Sequence, residues 1–402
     1  MIIQLADRLS VVKPSPSMAA KVKVDALRAK GEDIVDFTIG EPDFPTPAHI
    51  AQAGMDAINR GETRYTASTG TMALRKAIVE KLRHENGLDY KVENIIVGSG
   101  AKQVIFSAFA ATINPGDEVI IPAPYWVSYP DMAALHGAHP VFVECPEEQG
   151  FKLTPAALEK AITPKTRWLV LNTPNNPTGA IYSHAELSAL AKVLESHPQI
   201  LLMTDEIYEH FAYDGIKHAC PAGINPALRD RTLLINGLSK AYAFTGWRIG
   251  YGAGPIELIK AINLLMSQST SCASAVSQAA AVVALSGPQE SVRQNVADYE
   301  NRRDLMVKLL NAIPGISCRQ PDGAFYVFPC VKGLIGRTNP AGKKMESDVD
   351  VMNFFLEFAK VATIDGSSYG LSPYLRLSFA TSMDNIEKGC KAMNQAVLRY
   401  SN

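Results

Sequence analysis

No apolar run in this 402-residue sequence approaches the roughly 20 residues a membrane-crossing helix needs; the most apolar stretch, residues 279–285, is far shorter. Excess charge of either sign is missing too. Lys+Arg number 39 and Asp+Glu 40, so neither nucleic acid nor an anionic membrane is expected as a partner. Cysteines are few: Cys145, Cys220, Cys272, Cys318, Cys330 and Cys390 are scattered without a CxxC pair. That pattern argues against structural zinc and fits a reducing cytoplasm. The first ten residues carry Asp7 and Arg8 inside their apolar stretch and do not read as a signal peptide. GxxxxGK[ST], GxSxG and HExxH are all absent, which removes the signatures of P-loop proteins and of two hydrolase classes. The eight histidines show no ligand-like spacing, so no metal site is expected.

What is present is an alternation. From residue 94 onward, short β-branched apolar runs (residues 94–97, 118–121, 168–171, 200–203, 232–235 and 248–251) are separated by longer amphipathic stretches. Continuous apolar runs indicate strands buried on both faces, and strands spaced by helices indicate a mostly parallel α/β sheet. After Pro288 a long helical stretch to about residue 312 leads into a strand-rich region with a Gly/Lys/Asn-rich loop at 333–344, read as a smaller α+β domain. The first 45 residues hold one helix, one strand and the turn GEPD, and fit against either domain.

Five segments carry chemistry. In NGLSKAYAFTGWRIG, Lys240 follows a buried strand with no acidic residue nearby in sequence. Desolvation there lowers a lysine pKa and frees the amine for Schiff-base chemistry, although a snorkelling lysine also fits. Arg248, eight residues on, suits bidentate phosphate binding. In MTDEIY, Asp205 ends a strand, where it can keep a pyridine nitrogen protonated or simply cap a helix. VGSGAKQ joins a strand to a helix and suits a phosphate, but Gln103 stands where a dinucleotide fingerprint needs its third glycine. NTPNNPTG builds a rigid loop able to aim an Asn amide, or a plain turn. In YLRLSF, Arg376 lies among apolar residues on a strand, so a carboxylate of the protein or of a substrate must meet it.

Together these segments resemble the class I pyridoxal-phosphate aminotransferases of fold type I, and within them the bacterial aspartate and aspartate/prephenate aminotransferases. The motifs SKAYAFTGWRIG, NTPNNPTG, TDEIYEH, PAPYWVSYP and GEPDFPTP occur in the family's order over essentially the whole chain. The resemblance implies a large domain with a mostly parallel seven-stranded sheet (residues 46–300) and a small α+β domain from both chain ends (1–45 and 301–402). It implies pyridoxal 5′-phosphate held by Lys240 as a Schiff base, with Lys240 then moving the substrate proton. Asp205 matches the pyridinium partner, and Tyr208 and Asn176 the groups bonding the phenolic oxygen. Trp126 matches the stacking aromatic. Gly100, Ala101, Ser239 and Arg248 match the phosphate cradle, with Tyr65 lent across a homodimer interface. Arg376, the Gly40 amide and Asn176 match the α-carboxylate site, and Trp126 lines the substrate. Lys102 and Ser15 match groups associated with the distal carboxylate; Pro16 and Cys272 depart from the family's commoner residues.

The implied activity is reversible, ping-pong transfer of the amino group of L-aspartate to 2-oxoglutarate, with amino and 2-oxo acids as partners. An aromatic or prephenate aminotransferase is the alternative, Lys13 and the N-terminal segment offering a place for prephenate's extra carboxylate. Two other readings are weaker. A cofactor-binding regulator predicts a lost Lys, Asp or Arg, whereas Lys240, Asp205 and Arg376 are all present. A dinucleotide-dependent dehydrogenase rests only on GxG fragments.

Overall fold

The computed structural model describes residues 3–12, 14 and 16–400. Lys13 and Ser15 lie outside the described residues, as do the side chains of Pro16, Ser17, Met18 and Tyr400. In chain order the strands are β1 (Val35–Asp36), β2 (Ile95–Gly98), β3 (Glu118–Ala123), β4 (His139–Glu144), β5 (Thr166–Asn172), β6 (Leu201–Asp205), β7 (Thr232–Gly237), β8 (Gly250–Ala253), β9 (Tyr326–Val327), β10 (Val361–Ala362), β11 (Ile364–Asp365) and β12 (Leu375–Ser378). Five helices precede β4: α1 (Pro16–Arg28), α2 (Ala48–Asn59), α3 (Met72–Asn86), α4 (Ala101–Thr112) and α5 (Ser128–Leu135).

Seven strands form the main sheet in the order β2-β8-β7-β6-β5-β3-β4. Only β8 runs against the others, pairing antiparallel with β2 and β7. Side chains alternate between the faces, as the pleat requires. Val119, Ile121, Val170, Met203, Leu233 and Ile235 pack under α4, α5 and the helix Ile256–Ser269. Ile120, Leu169, Leu171 and Leu202 pack under the helix His184–Glu195. Ile95, Val97 and Leu234 pack against α3 and the helix Ala275–Ser286. Both faces are covered, which is why these strands read as continuous apolar runs. The strand β4, absent from the sequence reading, is an edge strand with alternating exposure and a proline, so it lacks that signature.

A second cluster gathers Val35, Phe37, Val327, Phe354, Leu375, Leu377, Phe379 and Met393 around the antiparallel sheet β11-β12-β9 and the parallel pair β1-β10. Residues 7–11 lie against α5, on the main-sheet side. The helix Glu290–Asn311 spans both clusters, with Val292 in one and Met306 and Leu310 in the other. Arg302 on that helix holds Asp43 through both carboxylate oxygens at 2.8 Å and lies 4.8 Å above the Phe44 ring. The loop after β1 is thereby fixed against the helix.

Trp168 is fully buried on β5, and its Nε1 donates to Thr112 Oγ1 at 2.9 Å. Trp168→Ala is expected to cost about 3–5 kcal/mol, which lowers the melting temperature by roughly 4–6 °C. Calorimetry showing a drop below roughly 3 °C would mean that this face of the sheet closes over the hole.

Candidate active site

The carboxyl ends of the parallel strands deliver Gly98, Asn172, Asp205 and Gly237 to one edge of the sheet. Because β8 is reversed, its first residue, Gly250, arrives at the same edge, pairing with both Gly98 and Gly237. There the sheet and the small cluster enclose a cleft of about 540 Å³ whose lining includes Gly40, Lys102, Trp126, Lys240, Arg248 and Arg376. Ligands in open α/β sheets bind at this edge.

Lys240 follows β7, and its Nζ donates to the Gly40 carbonyl at 2.6 Å. Burial pulls its pKa down to about 8; Arg376 and Arg248 push the same way, while Glu41 and Asp205 oppose. No carboxylate lies within ion-pair distance among the described residues. The amine therefore loses its proton far more readily than a surface lysine.

Asp205 is buried at the end of β6, and burial raises its pKa to about 6. Tyr129 donates its hydroxyl to Asp205 Oδ2 at 2.6 Å and the Ile207 N–H donates to Oδ1 at 3.2 Å, both favouring the carboxylate. The contact with Ile207 is the local turn a plain capping role would give, and Oδ2 is held separately from another element. Asn172 Nδ2 donates to the Asp205 carbonyl at 2.9 Å and its Oδ1 accepts the Asn176 N–H at 2.8 Å, tying the NTPNNPTG loop to β6. The Tyr208 and Tyr326 hydroxyls are 2.9 Å apart.

At the other end of the cleft, Gly100 has φ +88°, a conformation that needs no side chain, and α4 begins at the next residue. The Ser99 N–H is taken by Gln103 Oε1 at 2.5 Å and the Gly100 N–H by the Gly98 carbonyl at 2.8 Å. So Gln103, the residue that breaks the dinucleotide pattern, caps the loop. The Gln103 N–H donates to the Gly100 carbonyl at 3.1 Å, and Ala101 and Lys102, the first two residues of α4, line the cleft, so a helix N-terminus of the kind that receives a phosphate stands at its edge. Ser239 and exposed Arg248 flank it; Arg248 Nη1 donates to the Thr245 carbonyl at 2.9 Å. A Cβ on Gly250 would fall 2.1 Å from the Ala101 nitrogen, and one on Gly100 would fall 2.3 Å from Arg248 Nη2, so the cradle is built on absent side chains.

Arg376 is buried on β12. Its Nη2 donates to the Thr38 carbonyl at 2.6 Å and its Nη1 to Asn176 Oδ1 at 3.3 Å, while Nε is buried with no partner. The guanidinium sits between the rings of Tyr326 and Tyr369, 4.6 and 5.2 Å from their centroids. No carboxylate of the described residues pairs with it, which leaves the ligand side of the two alternatives. Lys102 lies 4.7 Å over the Trp126 ring, its pKa lowered by burial and then by Arg248. Tyr65 does not line the cleft; it is 91% exposed on the loop between α2 and α3.

Sequence reasoning missed Tyr129, Tyr326 and Tyr369. Tyr129 lies three residues from Trp126 within the same motif, a helical spacing that offered a signal; nothing marked the other two. It also missed a buried network behind Asp205 and Tyr208. Glu206 there accepts hydrogen bonds from Thr204 and Cys220 at 3.1 Å and lies 2.7 Å from His218 Nε2. Glu209 is held by Lys81, Asn86 and Asn236. Lys81 is the ion-pair partner of Glu209.

The cleft thus gathers a lysine and an arginine that no carboxylate of the described residues pairs with, a buried carboxylate and a helix N-terminus. The chain belongs to the aminotransferase class I and II family, whose profile matches residues 32–393. It is 54% identical over 391 residues to the "probable aspartate/prephenate aminotransferase" of Rhizobium leguminosarum bv. phaseoli, covering 97% of this chain and 98% of that one. The aspartate aminotransferase of Rhizobium meliloti has a crystal structure that superposes with TM-score 0.97 at 48% identity, over 99% of this chain and 100% of that one. The aspartate aminotransferase of Thermus thermophilus with maleate gives TM-score 0.91 at 40% identity, over 98% and 100%.

With its pKa lowered to about 8, Lys240 is half neutral at that pH, and only the neutral amine can attack a carbonyl carbon. Trapping Lys240 in the apoprotein with a small aldehyde and borohydride should therefore show a rate that rises with pH and levels off above about 8. A rate still rising at pH 10, as for an exposed lysine with pKa ~10.4, would contradict the desolvated site.

Proposed function

We propose that the chain is an aspartate aminotransferase holding pyridoxal 5′-phosphate in this cleft. One observation carries the reading: buried Arg376, paired with no carboxylate of the described residues, shares a cleft with Lys240, whose pKa is lowered to about 8. The residues fit the cofactor. Ser239, Arg248 and the Gly100–Ala101 turn would hold the phosphate, Trp126 would stack on the ring, and Tyr208 and Asn176 would meet the phenolic oxygen. When bound, pyridoxal phosphate supplies an electron sink for the pair released as the substrate's Cα–H bond breaks.

The chain's own groups do the rest. Arg376, with Asn176 and the Gly40 backbone, grips the α-carboxylate by a bidentate fork. Lys240 would take the Cα proton as general base and return it as general acid. Asp205, whose carboxylate form Tyr129 and Ile207 favour, would hold a proton on the pyridine nitrogen. Lys102, with Ser15, receives the distal carboxylate. Aspartate leaves as oxaloacetate, and 2-oxoglutarate takes up the amino group to become glutamate.

The exposure of Tyr65 supports a homodimer in which each chain lends this residue to the other's phosphate. We also read the chain as a large domain, 46–300, around the seven-stranded sheet, and a small one, 1–45 with 301–402, around β11-β12-β9 and β1-β10, with residues 7–11 reaching across to α5 and Tyr208 and Phe211 reaching into the small cluster. The cytoplasmic assignment rests on six free thiols. The name of the Rhizobium leguminosarum relative supports a second reading, in which prephenate is also a substrate.

A panel of amino donors with 2-oxoglutarate tests this. Aspartate should be turned over with formation of oxaloacetate. Lys240→Ala should lose at least about 10³-fold of kcat, and Arg376→Leu roughly 10²- to 10³-fold of kcat/KM. Phenylalanine much faster than aspartate would make the chain an aromatic aminotransferase instead. Full turnover by Lys240→Ala would sink the whole assignment.

A further inference from the structure

Tyr326 stands between the two halves of the cleft. It lies on β9 opposite Ser378 of β12, so Arg376, two residues before Ser378, leaves the sheet on the same face as its diagonal neighbour. The ring of Tyr326 therefore lies under the Arg376 guanidinium at 4.6 Å. Its hydroxyl leaves the small sheet, passes the Cα face of Gly40 (a Cβ there would be 3.2 Å away) and meets the Tyr208 hydroxyl of the main-sheet side at 2.9 Å. Both tyrosines are buried, 1% and 4% exposed.

Building on the aminotransferase reading, we propose that Tyr326 is a positioning residue that joins the two halves of the site. Its hydroxyl donates to Tyr208, aiming the Tyr208 proton at the phenolic oxygen of the bound cofactor. Its ring fixes the plane of the Arg376 guanidinium for the substrate carboxylate.

The direction of the bond follows from proton counting. Each phenol has one proton. Once Tyr208 gives its proton to the cofactor, the bond between the two hydroxyls runs from Tyr326 to Tyr208, and successive O–H bonds polarise one another. Burial raises the pKa of both phenols, so both protons are present at neutral pH. The ionisable groups facing the pair are Arg376, Asp205 and Lys240, with Glu41 and Arg248 beyond Lys240. Negative charge on the phenolic oxygen is greatest once the neighbouring Lys240 nitrogen has lost its proton. A donor aimed there favours that state and lowers its pH midpoint, and weakening the donor raises it.

The test is a pH titration of the cofactor's visible absorbance in holoenzyme, with aspartate kinetics beside it. Tyr326→Phe keeps the ring and removes the hydroxyl. It should move the midpoint alkaline by roughly half to one unit and leave KM for aspartate within about threefold. In a Tyr208→Phe background the same change should produce no further shift. Tyr326→Leu removes the ring as well and should raise KM roughly tenfold or more. A merely structural tyrosine would lower the melting temperature without moving the midpoint. An unmoved midpoint in Tyr326→Phe, or an equal shift with and without the Tyr208 hydroxyl, overturns the relay. Equal KM increases in the Phe and Leu variants overturn the role of the ring. Wild-type protein without a pH-dependent band would overturn the aminotransferase reading, and this inference with it.

Discussion

Gly250 is pressed between Gly98 of β2 and Gly237 of β7, with the start of α4 lying directly on it. The contact is backbone on backbone, and it decides where the rest of the cleft can be. It brings the N-terminus of α4 down to the sheet edge. It also lets the chain turn from Lys240 through Arg248, at φ +59°, and re-enter the sheet in the reverse direction. A parallel β8 would have carried Arg248 to the far edge, some four residues of strand away. The one antiparallel strand of the main sheet therefore places Arg248 in the cleft that Lys240 lines, and glycine at each of three positions makes the approach possible.

Within that frame the two buried cations are stabilised differently. A lysine can shed its charge, and Lys240 is placed to do so, its ammonium meeting a backbone carbonyl and no carboxylate of the described residues. An arginine keeps its charge, so Arg376 must be solvated in place. Two aromatic faces and the Thr38 and Asn176 oxygens provide that solvation, and they stop short of Nε. Burial at the same sheet edge thus leaves one cation able to shed its proton and the other held charged.

Legibility in the sequence followed the range of the interactions involved. Strands β2, β3, β5, β6 and β7 were readable because burial on both faces leaves an unbroken apolar run. The seven-strand count and the roles of single residues came from the motifs' resemblance to a family, not from periodicity. Residues 248–251 read as a strand, but β8 starts only at Gly250, because the positive φ of Arg248 belongs to the turn. Asp205 was legible as a strand-end carboxylate. Tyr129, which keeps it anionic, sits 76 positions away, and Tyr326 meets Tyr208 across 118. Such contacts are fixed by topology, and no local pattern of residue types announces them. The Lys81–Glu209 pair was hidden similarly, its partners reading as ordinary charges on α3 and after β6.

The unmatched positive charge of the cleft has a consequence for the chain in solution. Arg376, Lys102 and Arg248 have no ion-pair partner among the described residues, and a cleft of that sign draws counter-ions from the medium. Between turnovers the carboxylate positions are thus shared with whatever small anions the solution provides. An apparent substrate affinity is then an exchange constant, the preference for a dicarboxylate over the resident ion. Its value belongs jointly to the protein and to the salt in which it is measured.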